Sequence, residues 1–143
     1  MNVVFDLDGT LADCGHRMRH IWKEPKDWPA FFRECSLDPP IPEVIAICRA
    51  LHAAGHHIQI WSGRSDEVAI ATRTWLELKG VPYHQLLLRP AKDHREDHVV
   101  KEEWLRNVSI GWRPDLVFED RRRVVDMWRR YDIRCIQVAA GEF

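Results

Sequence analysis

Apolar residues recur along this chain in short runs of strand length. Each run ends in polar residues and is followed by apolar positions at helical spacing. The first run is Val3-Val4-Phe5, and residues 2–6 read as a buried strand. Pro42 suits a first helical turn, Val44, Ile45, Ile47, Cys48, Leu51 and His52 give an apolar stripe, and Gly55 ends the helix. Residues 57–61 predict a second strand, followed by a helix from about Ser65 to Leu78 that Gly80 closes. After Pro82, residues 84–88 predict a third strand. Asp97 is placed to cap a helix reaching about Asn107. Residues 115–118 form the next strand, a helix follows to about Tyr131, and residues 133–138 make the last strand. Strands alternating with helices predict an α/β fold, a Rossmann-like five-stranded parallel sheet with helices on both faces.

Residues 12–40 break this rhythm. Pro25, Pro29, Pro39 and Pro40 interrupt helix there, although Trp28-Pro29-Ala30-Phe31-Phe32 reads as a short turn with an apolar face. The segment leaves the first strand just above its polar end and predicts a small flap, too short to be a domain of its own. The chain of 143 residues is otherwise expected to be one domain, with no internal repeat or linker.

Net charge of −1 argues against a global basic field, so contact with nucleic acid would be local. Cys14, Cys35, Cys48 and Cys135 form no CxxC pair and read as reduced thiols of an intracellular protein. The chain opens on its first strand, so no signal peptide is expected, and no apolar run has membrane-spanning length. The seven tryptophans are expected in the core or lining a groove, with one or two open to stacking on a base.

Polar sets fall at the ends of strands on one edge of the predicted sheet: Asp6 and Asp8, Ser62 and Arg64, Glu119 and Asp120. Two acids at the mouth of a buried strand are unfavourable unless a metal or hydrogen bonds offset them. Such a set suits phosphoryl transfer through a covalent intermediate. Asp6 would attack phosphorus, and Asp8 would protonate the leaving alkoxide and then deprotonate water. Mg²⁺, a hard cation that prefers oxygen, would be held by Asp6, Asp120 and the Asp8 backbone carbonyl. Ser62 and the Gly63 N–H would bind phosphate oxygens, and Lys101 would neutralise charge. Lys101 follows Asp97 by four residues, which also fits a plain surface pair. Lys92 is a rival for the lysine role. Arg17 reads either as a solvated charge or as a substrate contact. Arg121-Arg122-Arg123 opens a helix against its dipole, which suits either a phosphate-facing use or a solvated face.

Asp6-x-Asp8-Gly9-Thr10, Ile60-Trp61-Ser62-Gly63, a helix lysine and a late acidic pair resemble the motifs of haloacid-dehalogenase-type phosphatases. A narrower resemblance is to the phosphatase domain of phage-type polynucleotide kinase/3′-phosphatase. It is carried by Trp61-Ser62-Gly63-Arg64, by residues 95–103, by Glu119-Asp120-Arg121 with residues 124–129, and by the ending 137–143. The resemblance implies Asp6 as nucleophile, Asp8 as general acid/base, Ser62 and Lys101 on phosphate, and Asp120 on Mg²⁺. It also implies substrate-side arginines at Arg17 and Arg64 and an acid near the lysine at Asp97. Glu119 stands where the family commonly has Asp, so it is expected to support the site by accepting from Lys101 or a metal-bound water. No GxxxxGK[ST] loop occurs, so a phosphatase without its kinase half is expected, either stand-alone or excised. The implied partner is a phosphorylated nucleic-acid end or a nucleotide, in an intracellular setting, cellular or phage-encoded. A deoxynucleotide phosphatase is the alternative. A non-catalytic receiver-like module is a second, disfavoured by Asp8 and the flap.

Overall fold

The structure is a computed structural model and describes residues 1–141. Glu142 and Phe143, part of the ending that resembles the phosphatase family, lie outside the described residues. The strands are β1 (Asn2–Phe5), β2 (His57–Ser65), β3 (Gln85–Arg89), β4 (Leu116–Arg121) and β5 (Arg134–Gly141). The helices are α1 (Trp28–Arg33), α2 (Pro42–Ala53), α3 (Ala69–Leu78), α4 (Asp97–Asn107) and α5 (Arg122–Arg130). All strand pairs are parallel, in the order β3-β2-β1-β4-β5. The expected α/β architecture is present.

The period-two alternation of β1 explains how the layers meet. Val3 and Phe5 face one cluster, which takes in Val44, Ile45 and Cys48 of α2 and Trp75 and Leu76 of α3. Val4 faces the other, with Trp61 of β2, Val117 of β4 and Val124, Met127 and Trp128 of α5. Phe5 stacks on Phe118 at a centroid distance of 4.5 Å, tying β1 to β4. Both faces of the central strand are therefore covered, which is what an uninterrupted apolar run in a parallel sheet requires.

Several boundaries differ from the sequence expectation, including the end of β5, which runs to Gly141 rather than residue 138. β2 runs through the polar residues to Ser65, with an irregular register between Ser62 and Ser65, and a 3₁₀ turn (Asp66–Val68) separates it from α3. β4 likewise extends past its apolar core to Arg121. Periodicity underestimates β2 and β4 because their last residues are polar yet still pair with neighbours. In α2, Ile47 and His52 are exposed rather than part of the buried stripe.

Residues 12–40 hold two 3₁₀ turns (Gly15–His20 and Glu34–Leu37) around α1, with their own small cluster of Cys14, Met18 and Phe31. The side chain of Asp27 caps α1 by accepting from the Ala30 N–H at 3.0 Å.

The chain order reverses beside β1: β2 and β3 extend the sheet to one side, β4 and β5 to the other. In open α/β sheets the crevice at the carboxyl ends of the strands flanking such a reversal takes the ligand.

Candidate active site

Asp6 leaves β1 at that crevice, and its N–H still donates to Phe118 O at 2.9 Å, so the ladder holds its backbone. Gly9 has φ of +87°, a conformation that suits glycine. A side chain there would also collide with the Asp120 carboxylate, so glycine lets β1 and β4 bring their acids together.

Lys101 lies on α4 and is 1% exposed. Its Nζ donates to Asp6 Oδ1 at 2.6 Å and to Glu119 Oε2 at 2.8 Å, and lies 3.2 Å from Asp97 Oδ2. The Asp97–Lys101 spacing is thus no surface pair. Nor does Asp97 cap α4: Glu96 occupies that position, and Asp97 begins the helix and turns to the lysine. Glu119 spends its other oxygen on the N–H groups of Asp120 and Arg121, each at 3.2 Å. Of the two uses expected for it, acceptance from Lys101 is the one observed. Lys92, the rival lysine, is an exposed loop residue at φ of +65°.

Asp6, Asp97, Glu119 and Asp120 outnumber the cations among them. Burial, and then the neighbouring Glu119 charge, raises the Asp6 carboxyl, against the pull of Lys101. Burial also raises Glu119, to about 7, and raises Asp120 to about 6, with Asp6 adding to the latter. Lys101 is held well above its ordinary value by Asp6, Asp97 and Glu119 despite burial.

Asp8, two residues from Asp6, has the opposite surroundings. Its Oδ1 accepts from Arg64 Nε at 2.9 Å, Arg64 Nη2 at 2.7 Å and Arg17 Nη2 at 2.8 Å. Burial works against the charged carboxylate, but Arg64 and Arg17 prevail and lower it to about 2. Both guanidinium side chains are fully buried. Arg17 and Arg64, expected on the substrate side, therefore sit behind Asp8 rather than on the open cleft.

Ser62 is also fully buried, and its hydroxyl accepts from the Arg64 N–H at 3.2 Å. Gly63 lines the cleft, where a side chain would strike Asp97. Arg89, not anticipated from sequence, donates to Gly63 O at 2.9 Å and fixes that turn. The cleft has a volume of about 830 Å³ and runs from Asp6 and Asp8 out to Trp22, Trp28 and Lys92. Trp22 is 77% exposed on its wall. Lys26, Arg33 and Lys92 border it with no ion-pair partner among the described residues. Trp61, Trp75 and Trp128, by contrast, are core. Arg123 pairs with Glu96 at 3.1 Å on the cleft rim, and Arg122 is exposed.

Asp38 was also missed. It joins Arg17 and Arg64 from the far end of residues 12–40. No periodicity marks an acid before a Pro-Pro pair. The available signal was charge balance, because two buried arginines need more than Asp8.

Asp6, Asp97 and Glu119 place carboxylate oxygens within 4.8 Å of one another, as a cation site does. The Lys101 ammonium fills that space. Asp120 is different: its Oδ1 is buried with no hydrogen-bond partner among the described residues. An orphaned carboxylate oxygen in an acid-rich pocket fits a hard divalent cation.

A family model described as the polynucleotide kinase PNKP phosphatase domain matches residues 1–143. Two solved structures of a Pnkp1/Rnl/Hen1 complex, one described as an RNA repair complex, are 28% identical with TM-scores of 0.83 and 0.84. Each alignment covers 99% of this chain but only 43% and 47% of the matched chains, so this chain spans less than half their length. The class C acid phosphatase of Bacillus anthracis shares the fold at 18% identity, with a TM-score of 0.67 over 99% of this chain and 67% of that one. The family model spans the whole sequence, and the chain belongs to the polynucleotide kinase phosphatase-domain family of haloacid-dehalogenase-type phosphatases.

Proposed function

We propose that this phosphatase domain removes 3′-phosphate from polynucleotide ends, with Asp6 as nucleophile and Mg²⁺ as cofactor. The observation that carries the chemistry is the Lys101 ammonium, 2.6 Å from Asp6 in the floor of an open cleft. A carboxylate attacking a phosphate meets like-charge repulsion unless cations are already in place. Asp6, Asp120 and the Asp8 backbone carbonyl would hold Mg²⁺, with Glu119 in support through Lys101. When bound, the ion neutralises charge on the phosphoryl oxygens.

An Asp6 oxygen bonds to phosphorus as the ester P–O bond breaks, and the departing alkoxide takes a proton from Asp8. Asp8 then removes a proton from water, which attacks the acyl phosphate and releases inorganic phosphate and the Asp6 carboxylate. In the resting site Asp8 is ionised. A phosphate arriving beside it raises its pKa by like-charge repulsion and draws in the proton it later donates. Its Oδ1 is committed to the arginines, so Oδ2 is the oxygen for that proton. Ser62, Gly63 and the turn held by Arg89 supply donors to phosphate, and Asp97 steadies Lys101. Arg17 and Arg64 act through Asp8.

A polynucleotide end is favoured over a mononucleotide by the family match and by the cleft. Residues 12–40 form a small flap whose exposed Trp22, with Lys26 and Arg33 lacking ion-pair partners among the described residues, suits a base and its backbone. The test compares kcat/KM with Mg²⁺ on 3′-phosphate oligonucleotides, 5′-phosphate oligonucleotides and free deoxynucleotides. The 3′-phosphate end is expected to lead. Preference for the 5′-phosphate end or the free nucleotide would overturn the assignment.

A further inference from the structure

Among the buried charged groups of the described residues, Asp38 is the one the chemistry above does not use. Its side chain is fully buried. Its Oδ1 accepts from Arg17 Nε at 2.7 Å, and its Oδ2 accepts from Arg17 Nη2 at 2.6 Å and Arg64 Nη2 at 2.8 Å. His16 Nε2 lies 2.8 Å from Oδ1 on the outer side. The Asp38 backbone carbonyl accepts from Trp75 Nε1 at 2.8 Å, which fixes its place against α3. The arginine nitrogens turned towards Asp38 belong to the same guanidiniums that grip Asp8 Oδ1.

The remaining contacts leave the arginines little freedom. Arg17 Nη1 donates to Phe31 O at 3.0 Å and its guanidinium lies 4.3 Å from the Phe31 ring centroid. Arg64 Nη1 reaches Thr72 Oγ1 at 3.4 Å. Two cations and two anions thus close a balanced, buried quartet. Removing the Asp38 charge would leave both guanidiniums to act on Asp8 alone. An Asn in its place would turn an N–H₂ group towards an arginine N–H that now meets an acceptor.

We propose that Asp38 is a positioning residue for proton transfer: through the shared Arg17 and Arg64 it sets the orientation and charge balance of Asp8 without touching substrate. The inference rests on Asp8 as the proton carrier. It ties the flap to the chemistry, because Arg17 enters the quartet from one end of residues 12–40 and Asp38 from the other.

The test exploits leaving-group basicity. Phenolate from phenyl phosphate needs a proton as it departs, whereas 2,4-dinitrophenolate does not. Asp38→Asn is assayed with Mg²⁺ on phenyl phosphate and 2,4-dinitrophenyl phosphate. The expected result is a loss of kcat/KM, which ends at phosphoenzyme formation, on the order of 100-fold for phenyl phosphate, within the range of general-acid effects. The loss of kcat/KM for 2,4-dinitrophenyl phosphate is expected to be a few-fold at most, because hydrolysis of the phosphoenzyme, which needs Asp8 with either substrate, does not enter kcat/KM. The ratio of the two rates on one preparation does not depend on the fraction folded. Asp38→Glu, which keeps the charge but cannot reproduce the geometry, should lose phenyl phosphate activity selectively as well. Equal losses on both substrates in these variants, or no loss, would overturn the proposal. Asp8→Asn on the same pair is the control. If it shows no selectivity, the reading of Asp8 fails; if it is selective and the Asp38 variants are not, the Asp38 inference alone fails.

Discussion

Asp6 and Asp8 stand two residues apart at one strand end, yet their surroundings push them in opposite directions. Asp6 belongs to an acid-rich cluster in which Asp97, Glu119 and Lys101 meet, with Asp120 beside them. Asp8 belongs to a quartet in which Arg17 and Arg64 match Asp8 and Asp38. The first carboxyl is raised, chiefly by burial, and the second is lowered to about 2 by its arginines. Sequence neighbours thus acquire different chemistry from the elements that reach them: α4 and β4 for Asp6, the flap and β2 for Asp8. The acid-rich side has a deficit of positive charge for a cation to fill, whereas the arginine side is already balanced.

The comparison breaks most sharply at Asp6. Asp6→Asn is expected to reduce phosphate release by about 10⁴-fold or more, since no other group replaces a nucleophile, while circular dichroism stays native. Normal turnover in this variant would refute the mechanism.

That residue was also the most legible in the sequence. An apolar run ending in Asp-x-Asp-Gly fixes both the strand and the crevice, and Asp120 and Lys101 follow from the same reasoning about strand ends and charge. The arginine side was less legible. Arg17 and Arg64 were expected on the substrate side because the family resemblance places arginines there, with a solvated charge as the alternative for Arg17. Their burial depends on Asp38, which no local pattern marks. Polar strand ends were shortened for a similar reason: Ser62–Ser65 and Glu119–Arg121 pair in the sheet without the apolar alternation that announces a strand.

The next largest effect concerns stability. Lys101→Met removes the ammonium shared by Asp6, Asp97 and Glu119 and leaves buried carboxylates uncompensated. Breaking such a set costs about 3–5 kcal/mol, so the melting temperature should fall by roughly 10 °C. An unchanged melting temperature would show that the acid-rich cluster does not depend on its lysine.

A pH series separates the two sides. Glu119 and Asp120 have folded-state values of about 7 and about 6, above their ordinary values. Raised carboxyls favour the protonated folded state, so their contribution is complete at low pH and declines as pH rises through those values. With a chelator present, Tm should drop by about 5 °C between pH 5 and pH 8. Mg²⁺ should restore more of it at pH 8 than at pH 5. Asp8 acts with the opposite sign: its contribution is present above its ordinary value and is lost as pH falls towards about 2. A Mg²⁺ effect equal at both pH values would place the ion away from the raised carboxyls.

The smallest effects lie on the cleft wall. Trp22→Ala should raise KM for a 3′-phosphate oligonucleotide about 10-fold with little change in kcat, as expected for one lost stacking contact. Lys92→Ala should alter stability by less than about 0.5 kcal/mol and leave kcat near wild type. A collapse of kcat in Lys92→Ala would transfer the lysine role away from Lys101.

The most direct test of the division between the two acids is to trap the phosphoenzyme. Wild type, Asp6→Asn and Asp8→Asn are mixed with Mg²⁺ and 2,4-dinitrophenyl phosphate labelled in the phosphoryl group, then quenched in acid and mapped by peptide mass spectrometry. Asp8→Asn should retain label on Asp6, because attack needs no acid with this leaving group while hydrolysis lacks its base. Asp6→Asn should remain unlabelled. Label on any other residue, or on Asp6→Asn, would contradict the account.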